Sequence, residues 1–186
     1  MSLFSQPLKA PFRRCFVGIF CLLLCFPVNA EDSLSREDEL KAAYIWNFIG
    51  FINWRDLGSG NLPSEIRICI DGSNDFVEFF RQLVGNRRVG KLQHSVEVLQ
   101  LNAARKCELI YVRDANKKTA LKLVGALGLD ENTVIVADTS SIYFPGAAIM
   151  FYQENKKLRF EVDLKKINAL NVDISSELLK LARIKR

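Results

Sequence analysis

The feature that most constrains the fold of this chain is an uncharged segment, AAYIWNFIGFINW, at residues 42–54, which carries five aromatic rings. Ser35 with Asp38 three residues later has the pattern of a capping box, so we predict a helix that begins here and contains the segment. Its large apolar residues cover about half of the helix circumference, wider than an ordinary amphipathic stripe. This arc consists of Leu40, Tyr44, Ile45, Phe48, Ile49, Phe51 and Ile52. The segment is also too short to span a membrane. Protein must therefore cover this helix on more than one side.

Two explanations are open for what covers the side of this helix that faces away from the sheet. On a helical wheel, Trp46 and Trp54 fall outside the arc that packs on a sheet, and Ala43 and Gly50 lie between them. Small residues at that place would let another backbone come close, and aromatic residues are enriched at the centres of protein interfaces. We therefore expect these four residues to form a partner or dimer interface. The alternative is that the C-terminal helix of the same chain covers them.

The first thirty residues have the organisation of a secretory signal peptide. A basic stretch ending in Arg13 and Arg14 precedes twelve uncharged apolar residues, and Val28-Asn29-Ala30 resembles a signal-peptidase site. Twelve apolar residues are too few for a lasting membrane anchor. We expect cleavage after Ala30, export to the periplasm, and one folded domain at residues 31–186.

Charge argues against a nucleic-acid partner. The leader carries three of the 26 basic residues and none of the 21 acidic ones, so its removal lowers the net charge from +5 to +2. The remaining basic residues are spread along the chain and are expected to be solvated.

Cysteine usage points to a single crosslink. Three of the five cysteines lie in the leader, which leaves Cys69 and Cys107 as one possible pair in an oxidising compartment. A disulfide there would stabilise the fold by roughly 4 kcal/mol, and two buried free thiols are the alternative. With two cysteines and one histidine, His94, the sequence offers no metal-ligand cluster.

The apolar patterns predict a single α/β domain with a mixed β-sheet covered by helices, ending in a hairpin and a helix. After the first helix, the predicted elements in chain order are a strand at 66–70, a helix at 75–83, a short strand at 96–99, a strand at 107–112, a helix at 117–127, a buried strand at 133–137, a hairpin of 147–152 with 158–164, and a helix at 175–184.

No residue pattern requires an enzyme. His94 has no nucleophile near it in sequence and is expected at the surface. Arg159, Glu161 and Asp163 share one face of a strand, which a ladder of surface ion pairs explains more simply than an acid–base pair. We expect no catalytic residue, no metal and no cofactor.

The whole mature chain resembles the YfiR-like family of periplasmic regulators. KAAYIWNFIGFINW is similar to the family's opening pattern KAAY-x-x-NF-x-x-F-x-x-W, CIDGSNDF to its strand-to-helix turn, and CELIYV to its second cysteine strand. The stretch from TVIVADTSS to SSELLKLARI is similar to the C-terminal half of the family, so the resemblance extends over residues 39–183. Two positions depart from the family pattern: Glu108 replaces a histidine, and Gly146-Ala147 replaces a Gly-Gly pair.

The resemblance implies a non-enzymatic protein that binds the periplasmic domain of a membrane-bound diguanylate cyclase or sensor kinase and controls cyclic-di-GMP synthesis and biofilm formation. It also implies an outer-membrane lipoprotein as a second partner and a disulfide between Cys69 and Cys107, while a homodimer is expected from the predicted interface on the first helix. The competing hypothesis is a periplasmic small-ligand sensor, with a pocket lined by Asp71, Asp138, Asp163 and Arg159.

Overall fold

The structure is a computed structural model that describes residues 34–55, 65–90, 93–101, 106–113, 117–126, 131–138, 144 and 146–186. The predicted signal peptide and its cleavage site after Ala30 lie outside the described residues. The described elements are α1 (Arg36–Phe51), β1 (Ile52–Trp54), β2 (Glu65–Asp71), α2 (Asn74–Val84), β3 (Ser95–Gln100), β4 (Leu109–Val112), α3 (Lys117–Ala126), β5 (Val134–Asp138), β6 (Ile149–Glu154), β7 (Lys157–Asp163), α4 (Leu164–Asn168), β8 (Val172–Ile174), α5 (Ser176–Leu181) and β9 (Arg183–Lys185).

A mixed sheet forms the centre of the molecule, which confirms the predicted α/β class. Seven strands lie in the order β3-β2-β4-β5-β6-β7-β9. The first five of these, β3 to β6, run parallel to one another, β7 returns antiparallel to β6, and β9 is parallel to β7. The chain leaves β2 first for β3 and then for β4 on its other side, so the strand order reverses at β2. In open α/β sheets such a reversal marks the usual place for a ligand, outside the carboxyl ends of the strands.

Serine side chains cap the first two helices: α1 begins after Ser35 as the sequence predicts, and α2 begins at Asn74, one residue before its predicted start. The Ser35 hydroxyl oxygen accepts a hydrogen bond from the Asp38 backbone N–H, and the Ser35 hydroxyl donates one to the Asp38 carboxylate. Ser73 caps α2 in the same way by accepting from the Phe76 N–H. Each cap satisfies a backbone donor that has no partner inside its helix.

The main core lies between the sheet and α1. Phe48 packs with its ring centre 4.9 Å from that of Phe160 and 5.7 Å from that of Phe151, and Tyr44 joins the same group of rings. β4 and β5 read as continuous apolar runs because both of their faces are buried. A smaller cluster around Cys69, Ile110 and Phe144 fills the opposite face of the sheet.

The first and the last predicted helix both end earlier than predicted, because the residues that follow pair as strands. The first helix ends at Phe51, because Ile52–Trp54 pairs antiparallel with Val172–Ile174 as β1 and β8. The last helix ends at Leu181, because Arg183–Lys185 pairs with β7 instead of continuing the helix. Both segments contain β-branched or aromatic residues, and tertiary pairing decides such short segments more than local propensity does.

A disulfide joins Cys69 of β2 to Cys107, just before β4. Both residues are buried in the smaller cluster. The bond joins β2 to the segment that enters the neighbouring strand β4, and it is the pairing that the two cysteines outside the predicted leader allow.

Candidate functional site

The orientation of α1 decides which of its residues a partner could reach. Its buried residues are Asp38, Lys41, Ala42, Ile45, Phe48 and Ile49. The helical wheel placed Leu40 and Phe51 in the buried arc, but their side chains are 47% and 37% exposed. The helix is rotated because Ala42 lets it approach the sheet and because Asp38 and Lys41 have ionic partners there.

Trp54 belongs to the core, which contradicts its predicted place at an interface. It is only 4% exposed, and its indole N–H donates a 2.8 Å hydrogen bond to the Asn132 carbonyl oxygen. Trp46 is half-buried against the core, and the Arg87 guanidinium lies 4.9 Å from the centre of its ring. The two tryptophans therefore do not form one exposed aromatic patch.

Ala43 and Gly50 do face solvent, together with Asn47. With Leu40 and Phe51 they form a continuous uncharged strip, which we call the outward face of α1. A Cβ atom added at Gly50 would have no atom within 4 Å apart from its own helix and neighbours. Beside Gly50, an open groove of about 260 Å³ is lined by residues 50–53, Gly90 and residues 173–175.

Beneath the N-terminal half of α1 lies a network of buried ions at the carboxyl edge of the sheet. The Lys41 ammonium binds Glu37 at 2.7 Å and Asp138, the last residue of β5. Arg113 follows β4, and its guanidinium binds Asp38 at 2.8 Å. These pairs fix α1 across the ends of β4 and β5.

The network contains groups with shifted pKa values. Burial acts to lower the pKa of Lys41, but hydrogen bonds to Asp138 and Glu37 outweigh it and raise the pKa above 10.5. Burial raises the pKa of Asp71, at the end of β2, although the Arg113 backbone N–H donates a hydrogen bond to it. Burial also raises the pKa of the Tyr111 hydroxyl well above its ordinary value. Among the described residues, neither the Asp71 Oδ2 atom nor the Tyr111 hydroxyl has a hydrogen-bond partner.

The structure places the four residues of the predicted sensor pocket at two edges of the sheet. Asp71 and Asp138 end parallel strands and lie at the carboxyl edge with the ion network. Asp163 lies at the other edge, because β7 runs antiparallel to β6. The Asp163 backbone N–H donates a hydrogen bond to the carbonyl oxygen of Ala148, just before β6. Arg159 is exposed and lies opposite Tyr152. These residues do not line one pocket.

On the polar face of β7, where the sequence pattern favours a ladder of ion pairs, Glu161 and Asp163 each have their own cation. Glu161 binds Arg183 at 2.7 Å, and Asp163 lies 3.6 Å from Lys185 while its side chain caps α4. His94 is buried rather than exposed, because its backbone pairs with Val89 in an isolated bridge. Nothing in this arrangement sets a nucleophile beside a base.

Two general kinds of site are not found in the part of the chain that the structure describes. No cluster of three or more histidine, cysteine, aspartate or glutamate side chains there could hold a metal ion. No helix there is long and apolar enough to cross a membrane.

Sequence reasoning missed the ion network. Asp38 reads as a helix cap, and Lys41 reads as a solvated lysine. The available signal was the position of Lys41 on the same face as Ile45 and Phe48, where a lysine needs a buried partner.

A scan against protein-family models matches residues 38–183 to the family described as YfiR/HmsC-like. The match covers the chain from the first turn of α1 to the beginning of β9. No curated protein matches the chain.

Proposed function

The chain belongs to the YfiR/HmsC-like family, and from this premise we propose that it is a non-enzymatic periplasmic regulator of a membrane-bound diguanylate cyclase. In this proposal it binds the periplasmic domain of the cyclase and represses cyclic-di-GMP synthesis, and with it biofilm formation. An outer-membrane lipoprotein that competes for the protein would release the cyclase.

The observation that carries the proposal is the outward face of α1. It extends from Leu40 to Phe51, includes two large exposed apolar side chains, and contains no charged residue. Exposed apolar side chains on an uncharged helix face of this kind make the face a candidate interaction site.

Gly50 supports the same reading. Glycine inside a helix costs roughly 0.5 to 1 kcal/mol relative to alanine, and nothing within the described molecule prevents a side chain at this position. A glycine here is explained if a second backbone comes close. That backbone belongs to the cyclase or, in the free protein, to a second copy of this chain.

The test is the cyclic-di-GMP content of cells that lack the gene and are complemented with variants. Wild type is expected to restore a low level, and Gly50→Arg is expected to leave it high because the arginine blocks close approach. Gly125→Arg is the matched control, since Gly125 is also an exposed helical glycine with no atom near its missing Cβ. Equal repression by both variants would contradict the role of this face.

A small-ligand sensor is the second candidate, and one observation favours it. Asp71 and Tyr111 carry buried oxygen atoms without partners among the described residues, close to the place where strand order reverses. A ligand at a hundred times its dissociation constant would raise the unfolding free energy by about 2.7 kcal/mol. Thermal-shift screening with amino acids and nucleotides measures this directly, and Asp71→Asn should abolish a true shift.

A further inference from the structure

A second surface lies at the other end of the outward face, where the β6–β7 hairpin passes beside α1. We call it the hairpin groove, a concavity of about 330 Å³ lined by Leu40, Tyr44, Lys156, Lys157, Leu158 and Arg159. Gln153 of the hairpin donates a 2.9 Å hydrogen bond to Glu37 of α1, so the two walls are joined.

One wall of the groove is an open strand edge. β9 pairs only with Glu161–Asp163, the last three residues of β7. In the part of the chain that the structure describes, no strand lies beside the first residues of β7, from Lys157 to Arg159, on the side away from β6. An open edge presents backbone N–H and C=O groups that an extended peptide can bind as an added strand.

The two faces of this edge differ in chemistry. Alternate residues of a strand face opposite sides of the sheet. Leu158 lies two residues before Phe160, so both side chains are on the same face of β7. The Phe160 ring packs under α1, and Leu40 and Tyr44 lie next to Leu158, so this face of the edge is apolar. Lys157 and Arg159 occupy the alternate positions, and Lys156 lies in the adjoining turn.

These three cations have no salt-bridge partner among the described residues. All three are exposed, and none forms a salt bridge with another described residue. The nearest acidic residue along the hairpin is Glu154, which pairs with Lys157 across the two strands. The edge therefore has excess positive charge on its polar positions.

We propose that the hairpin groove binds an extended polypeptide segment in which acidic and apolar residues alternate, added as a strand along Lys157–Arg159. Its acidic side chains lie beside Lys157 and Arg159, because opposite charges on adjacent strands attract. Its apolar side chains point to the other face and pack on Leu40, Tyr44 and Leu158. This proposal does not depend on the cyclase, because any protein with such a segment would fit.

An anionic membrane is a poorer occupant of the same charges. A bilayer is flat and could not fill the concavity between the hairpin and α1.

The test is the binding of a fluorescent peptide, Ser-Glu-Val-Glu-Leu-Glu-Ser, to the purified protein, measured by anisotropy. Binding is expected to weaken as salt rises from about 0.1 M to about 1 M, because screening shortens the range of charge attraction. A peptide with glutamine for glutamate, and one with N-methyl groups that block strand pairing, should both bind at least about tenfold more weakly. Equal binding of either peptide would overturn the proposal.

Matched variants locate the site. Lys157→Gln with Arg159→Glu should weaken peptide binding at least about tenfold, and the glutamine avoids a new repulsion with Glu154. Lys118→Gln with Lys122→Glu changes the charge equally on α3 and should leave binding unchanged. Leu40→Gln tests the apolar wall without altering charge, and it should weaken binding while Gly50→Arg does not. Binding that is insensitive to the hairpin variant would overturn the proposal, as would binding to phosphatidylglycerol vesicles in place of the peptide.

Discussion

Lys41 connects α1 to the sheet through two carboxylates, and its energetic role follows from its burial. The residue is 5% exposed, and its ammonium group has both Glu37 and Asp138 within salt-bridge distance. Burying such a pair gives little net stability, but removing one partner leaves an uncompensated buried charge.

Lys41→Met is therefore expected to lower the free energy of unfolding by about 3 kcal/mol, measured in urea at neutral pH. Lys41→Met with Asp138→Asn should recover part of this loss, because the second change removes the charge left without a partner. A single variant as stable as wild type would show that the network contributes nothing.

The same pair predicts a dependence on pH. The folded-state pKa of Lys41 is raised above 10.5, so the folded state holds this proton more tightly than the unfolded state does. The stabilisation is fully present below pH 10.5 and is lost as pH rises through the raised folded-state pKa. The stability difference between wild type and Lys41→Met should thus be constant up to about pH 10 and shrink above it.

Helix α1 has to satisfy two requirements at once, a buried face for the sheet and an uncharged face toward solvent. At Gly50 the buried face imposes no requirement. The space around this residue is open, so the described molecule has no steric need for glycine there.

Gly50→Ala should raise the free energy of unfolding of the isolated protein by roughly 0.5 to 1 kcal/mol, since alanine loses less backbone entropy in a helix. Denaturant unfolding at low protein concentration measures this gain. A loss of stability would mean that the glycine is needed inside the monomer.

The helices and the parallel strands could be predicted because their signals are local. The capping pattern of Ser35 and Asp38 marks a helix start, and apolar runs such as residues 134–137 mark strands buried on both faces. β1, β8 and β9 have three residues each, and they exist only because strands distant in sequence pair with them. Periodicity cannot reveal such pairing, so Ile52–Trp54 reads as helix and the burial of Trp54 was missed.

At the scale of the whole molecule, a disulfide crosslinks β2 to the segment before β4 in the described part of the chain. Cys69 and Cys107 are 38 residues apart in sequence. Replacing both with alanine should cost about 4 kcal/mol of unfolding free energy on the chain-entropy model. Alkylation of the unreduced, denatured mature protein should label no cysteine, and two labelled thiols would contradict the disulfide.

The candidate site was predictable only in part for a related reason. An uncharged helical segment signals that something covers it, and Ala43 and Gly50 lie outside the face that packs on the sheet, so their predicted place at an interface stays a prediction. The rotation of α1 depends on ion pairs with Asp138 and Arg113, which lie far along the chain. Without those contacts, the sequence cannot distinguish the buried Trp54 from the exposed Phe51.

The central claim is that the outward face of α1 binds a membrane-bound partner. The most direct measurement is co-purification from detergent-solubilised membranes with tagged wild type, Gly50→Arg and Gly125→Arg. The account predicts that wild type and Gly125→Arg retain a diguanylate cyclase and that Gly50→Arg loses it while remaining folded by circular dichroism. Equal retention of the cyclase by Gly50→Arg and the other two proteins would contradict the claim.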